Sequence, residues 1–139
     1  MKKFFAVIIL FGIGCSMSRA QCPIDTANTT TGFTPGTPAV VKPGVAYSQT
    51  VQVYVPATYD VYTVDSLHID SITGMPTGIT YVFNPATGSV LGGQNGAICY
   101  SGTTFDTVGP YPLTLRRYLH QRGANSVFIS RYTCAKLWL

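Results

Sequence analysis

From Tyr47 to Val55 the chain alternates without a break: Tyr47, Gln49, Val51, Val53 and Val55 fall on one side, Ser48, Thr50, Gln52 and Tyr54 on the other. A period of two belongs to an extended chain with one face in a core and the other in water. Pro56 ends the run, because it has no N–H to give to a ladder. A half-buried strand needs partners to cover its apolar face, so the rest of the chain must supply a second layer.

Further extended runs follow. Val61 to Ile72 alternates more weakly: the parity of Val64, Ser66, His68 and Asp70 opposes that of Asp65, Leu67, Ile69 and Ser71. On this reading Leu67 and Ile69 face the core and His68 the solvent. Ile79–Phe83 is a short strand. Gly74-Met75-Pro76-Thr77-Gly78 is a loop, Asn84-Pro85 with Gly88 a turn, and Gly92–Gly96 another. Gly96 to Leu115 reads as two strands with a short connection, a hairpin-like pair. Tyr111, Leu113 and Leu115 share one face of its second half, Pro112 and Thr114 the other. Ser126–Tyr132 is a last candidate strand, and residues 21–44 form a turn-rich extended segment with a few edge pairings.

Composition agrees. Apolar residues make up 46% of the 139, enough for a core, while only 10% are charged and Glu is absent. Thr, Val, Tyr, Gly and Pro favour strands and turns over helices. About seven strands in about a hundred residues predict an all-β fold, a β-sandwich.

The N-terminus reads as an export signal. Lys2 and Lys3 precede the apolar run Phe4–Phe11, and Ser18-Arg19-Ala20 offers small residues for cleavage before Gln21. The run is too short to span a bilayer, which takes about 20 apolar residues. Gly12-Ile13-Gly14-Cys15 faintly resembles a lipoprotein box but lacks the usual Leu three before the Cys. Cleavage leaves Cys22, Cys99 and Cys134, an odd number. One internal disulfide is then expected, with Cys22–Cys99 and Cys99–Cys134 both open, and one spare thiol. None of these has Cys-x-x-Cys spacing, which argues against a metal or redox site.

After cleavage the chain keeps six basic residues against five Asp. All the acids precede Arg116, and five of the six bases lie from Arg116 onward. That basic end reads as a solvated strand or tail rather than a nucleic-acid site.

Three stretches carry a resemblance. Gly74–Thr80, Ser101-Gly102-Thr103-Thr104 and Val108–Leu115 resemble the immunoglobulin-like, cadherin-like modules of bacterial surface proteins. Those modules carry a G-L-P-x-G-L turn and an S-G-T-P-x-x-x-G-x-Y-x-L-T strand pair. With Tyr47–Val51, Tyr81–Pro85 and Gly92-Gly93, residues 21–115 are similar to secreted Bacteroidetes proteins associated with type IX secretion. Thr104 stands where the family usually has Pro, Phe83 and Ala97 where it has Cys, and no sorting domain follows. The family pattern stops at Leu115, and residues from about 116 read as a truncated or frameshifted end.

The resemblance implies an immunoglobulin-like β-sandwich over residues 45–119. The signal peptide (1–20) and the extended segment (21–44) precede it, and a basic C-terminal strand or truncated tail (120–139) follows. It implies an exported, non-enzymatic module, secreted, periplasmic or at the cell surface, with a structural or adhesive role. A carbohydrate-binding module using exposed tyrosines is the alternative. The candidates there are Tyr54, Tyr59, Tyr62, Tyr81, Tyr100, Tyr111, Tyr118 and Tyr132. Cadherin-like modules often take calcium; Asp60, Asp65 and Asp70 are the only candidates here. They lack the clustered oxygens calcium needs, so no metal is assigned. Four Asp-hydroxyl-apolar or Asp-hydroxyl-small triplets are similar to the O-glycosylation acceptors of that phylum, making Thr26, Ser66, Ser71 and Thr107 candidate acceptors. Asn28-Thr29-Thr30 fits the N-glycosylation pattern, but the leader looks bacterial. His68 and His120, the only histidines, lie in no catalytic motif. The reading assigns no catalytic residue, no cofactor and no nucleic-acid partner. A surface glycan or protein is the expected ligand class.

Overall fold

The structure is a computed structural model that describes residues 22–122 and the backbone of 128–138. The leader, with Cys15, and the side chains of Tyr132 and Cys134 lie outside the described residues. Among the described residues nine strands run in order: β1 (Gly32–Thr34), β2 (Tyr47–Tyr54), β3 (Thr58–Tyr59), β4 (Tyr62–Thr73), β5 (Ile79–Asn84), β6 (Ser89–Leu91), β7 (Asn95–Gly102), β8 (Pro110–Gln121) and β9 (Phe128–Trp138). All pairings are antiparallel. One sheet has the order β1-β2-β7-β5; the other has β3-β4-β8-β9, with β6 also on β4.

The all-β expectation holds, and both sheets supply the core. Val51 and Val53 from β2, Val55 just after it, and Ile98 and Tyr100 from β7 meet Val64, Leu67, Ile69 and Ile72 from β4, with Val90 and Leu115. The alternation of β2 puts Val51 and Val53 inward, and Val55 just beyond the strand continues the same face. Leu113 and Leu115 are likewise buried on β8.

Two readings are corrected. The hairpin-like pair is not a hairpin. β7 lies between β2 and β5, while β8 lies between β4 and β9. Residues 103–109 therefore carry the chain from one sheet to the other. Alternation alone cannot tell a hairpin from such a crossing, because each strand satisfies its own period either way.

The parity of β4 is also corrected. Val64 is buried on the same side as Leu67 and Ile69, not opposite them. The register against β8 steps from Val64↔Gln121 to Ser66↔His120, and from Ile69↔Arg117 to Ser71↔Arg116. Asp65 and Asp70 are the extra residues of two β-bulges, and each bulge moves the following side chains to the other face. Val64, Leu67, Ile69 and Ile72 thus all point inward. The sequence carries a trace of this: Val64-Asp65-Ser66-Leu67 and Ile69-Asp70-Ser71-Ile72 share one pattern, apolar-Asp-Ser-apolar.

The open choice of disulfide resolves to Cys22–Cys99, with Cα atoms 5.4 Å apart. Ala97 and Cys99 face away from the main core, yet both are buried under Cys22 and Ile24. Gln52 holds this segment down: its Oε1 accepts from the Asp25 N–H at 2.9 Å and its Nε2 donates to the Pro23 carbonyl at 3.0 Å.

Burial sets the cost of truncation. Ile98→Ala, at 1% exposure, is expected to cost about 2–5 kcal/mol. Leu91→Ala, at 62% exposure, should stay within about 0.5 kcal/mol. Urea titration of both variants checks the placement of the core.

Candidate binding surface

One end of the sandwich is built on its own small core. Val41, Ile79 and Leu113 are buried together, with Tyr47, Met75 and Tyr111 packed against them. Three segments meet over it: the approach to β2 (35–46), the β4–β5 loop (74–78) and the β7–β8 crossing (103–109). Pro76 and Thr104 are among the most deeply buried residues.

Hydrogen bonds brace these loops against one another. The Gly44 N–H donates to the Thr104 carbonyl at 2.8 Å. The Thr77 N–H donates to Asp106 Oδ2 at 2.7 Å, and the Asp106 N–H to Thr104 Oγ1 at 3.2 Å. The Tyr111 hydroxyl donates to the Thr107 carbonyl at 3.0 Å. Gly74 and Gly78 have φ of +87° and +86°, where a Cβ would also strike the Pro112 and Thr103 carbonyls. Only glycine fits that turn. Thr104 thus uses its hydroxyl inside the crossing, accepting from the Asp106 N–H.

This braced frame leaves apolar side chains in water. Phe105 is 83% exposed and Val108 74%, on the crossing; Val45 and Val40 are exposed on the adjoining approach. Phe105 lies beside Gly44, with its Cε1 3.5 Å from where a Cβ would sit. Exposed large apolar residues on a fixed frame are the kind of surface that marks an interaction site. Sequence reasoning did not single out Phe105. Its signal was an aromatic in a turn-rich stretch where no strand period accounts for it.

The outer face of the second sheet carries the histidine and charge candidates. His68 and Tyr118 stack with centroids 6.3 Å apart, and the Arg116 guanidinium lies 5.5 Å from the Tyr118 ring centre. Arg116 Nε is 3.7 Å from Asp70 Oδ2, and Arg122 is 3.2 Å from Asp65. The bulged aspartates therefore face one arginine within β8 and one directly after it. Such half-exposed pairs contribute little stability. Asp60 sits apart in the β3–β4 turn, at φ 56°. Among the described residues no three His, Cys, Asp or Glu side chains come together as a metal site.

The other candidates are dispersed. Thr26 and Thr107 are exposed, in the N-terminal segment and the crossing; Ser66 and Ser71 are half-buried, each directly after a bulge. Tyr100 is buried, and the Tyr81 hydroxyl accepts from the Ile72 N–H at 3.2 Å across the sandwich. Tyr54, Tyr111 and Tyr118 are half-buried. Only Tyr59 and Tyr62, paired across the β3–β4 turn, are exposed among the described tyrosines.

Tyr47 links the frame to β2. Its hydroxyl donates to Gln49 Oε1 at 2.7 Å, with the Ala39 carbonyl 3.2 Å away. Burial pushes this phenol up from 10.0 to about 12. The folded chain therefore holds the proton where the unfolded chain has lost it. The contribution is complete below pH 10 and is lost progressively between pH 10 and about 12. Tyr47→Phe is expected to flatten that part of the fall in stability, read by denaturant titration across alkaline pH for both proteins.

Searches of protein-family models, curated proteins and solved structures each found no match to this chain.

Proposed function

We propose that this chain is an exported, non-enzymatic, immunoglobulin-like β-sandwich module with an adhesive or structural role at a bacterial surface. The observation that carries this reading is the frame that holds Phe105, Val108 and Val45 in water at one end of the sandwich. Apolar side chains on braced loops lose little conformational freedom on contact, so more of their burial energy goes into binding. The leader and the resemblance of residues 21–115 support the compartment.

The test is adhesion of cells or beads carrying the exported chain. Phe105→Ser with Val108→Ser is expected to weaken attachment about tenfold, roughly 1.4 kcal/mol, with unchanged thermal unfolding. Equal attachment by the folded double variant overturns the reading. The carbohydrate-binding alternative rests on Tyr59 and Tyr62, the exposed pair that could stack on a sugar. On a glycan array it predicts a signal lost in Tyr59→Ala with Tyr62→Ala and kept in the Phe105 and Val108 variant.

The intact mass of the exported protein checks the compartment and the O-glycan together. Residues 21–139 plus hexose-sized increments are expected, with Thr26 and Thr107 the open acceptors. A bare mass for that span removes the glycan, and a retained leader removes signal cleavage.

A further inference from the structure

We infer that β5 pairs with β5 of a second copy of this chain, antiparallel about a two-fold axis, joining two four-stranded sheets into one. The inference stands apart from the adhesive reading and uses a different surface.

β5 ends its sheet; its only strand neighbour among the described residues is β7. An edge strand presents a row of unpaired N–H and C=O groups, and natural sheets guard such edges with short strands, charges, prolines or bulges. The other edges here are guarded. β1 has 3 residues, and β3 and β6, which share one side of β4, have 2 and 3. The sequence of β9 includes Arg131 and Lys136.

β5 has none of these devices. Its 6 residues, Ile79-Thr80-Tyr81-Val82-Phe83-Asn84, include no charge and no proline. Its register against β7 runs unbroken from Ile79↔Gly102 to Asn84↔Ala97. β-Branched and aromatic residues dominate it, the composition that pairs most readily.

The strand also shows apolar surface to solvent. Val82 is 54% exposed on the outward side. An uncharged strand meets no like-charge repulsion when it faces its own copy turned antiparallel, and a two-fold contact uses the same patch on both copies. Centred on Val82, the pairing sets Val82 against its counterpart and Tyr81 against Phe83 of the other copy. Tyr81 and Phe83 already pack in one copy, with centroids 5.1 Å apart. Cross-strand aromatic pairs of this kind stabilise sheets. A contact of 6 residues buries less than the roughly 1,200 Å² of a stable complex. Association is therefore expected only at tens of micromolar or above.

Sedimentation equilibrium of the exported chain tests the inference. A Cys134→Ser background removes any intermolecular disulfide through the spare thiol. The parent should rise with concentration from one to two chain masses. Val82→Lys and, separately, Thr80→Lys place a charge on exposed positions of the edge. Each should stay at one chain mass with an unchanged circular dichroism spectrum and melting temperature. Amides of β5 in the parent should gain exchange protection with concentration, while those of β1 should not. A parent that stays monomeric to millimolar concentration, or a dimer that survives both folded lysine variants, overturns the inference. The Phe105→Ser, Val108→Ser variant should dimerise like the parent. If its dimer is lost instead, the contact lies at the loop end and β5 is not the interface.

Discussion

The second sheet depends on β4, and β4 keeps four apolar side chains inward only because it skips a residue twice. It is one of the two longest strands, at 12 residues, and it pairs with β3, β6 and β8. A regular strand would turn Val64 or Ile72 to water, since parity reverses at each odd step. The bulges at Asp65 and Asp70 absorb those odd steps. They also put the two acids where Arg122 and Arg116 reach them. The same two bulges thus serve the core and the charge arrangement of the outer face together.

The first sheet is closed from outside by a different device. Its outer face would leave Ala97 and Cys99 in water, but the N-terminal segment crosses them and is fastened by Cys22–Cys99. The bond spans a sequence separation of 77. On the chain-entropy account, closing so long a loop removes about 4–5 kcal/mol of freedom from the unfolded chain. The side-chain amides of Gln52, Asn84 and Asn95 hold the same segment by its backbone. An eight-residue central strand, β7, is thereby covered on both faces, which is why Gly96 to Tyr100 is buried without alternation.

Much of this was legible in the residues. The period of Tyr47–Val55, the break at Pro56, the loop at Gly74–Gly78 and the inward Leu113 and Leu115 all follow from local chemistry. The short strands β3 and β6 were missed, because two or three residues carry no measurable period. The exposed apolar end of the sandwich was missed as well. Phe105 gains meaning only from Gly44, Thr104, Asp106 and Thr77, which are up to 62 positions apart in the chain. Of the candidates that sequence reasoning did name, His68 and Tyr118 stack, and Asp70 comes near them through Arg116. Asp60 and the exposed tyrosines Tyr59 and Tyr62 lie in a separate turn.

By itself, the sequence determined the all-β class, the approximate strands and the turns between them, because period, proline and glycine act over a few residues. The tertiary structure decided which strands share a sheet, which cysteines join and which faces are covered. Those choices depend on contacts between segments far apart in the chain. A strand's own pattern records that it has a buried side, and not which neighbour buries it. The same limit explains β5: its bare, uncharged sequence was visible throughout, but only the sheet order made it an edge.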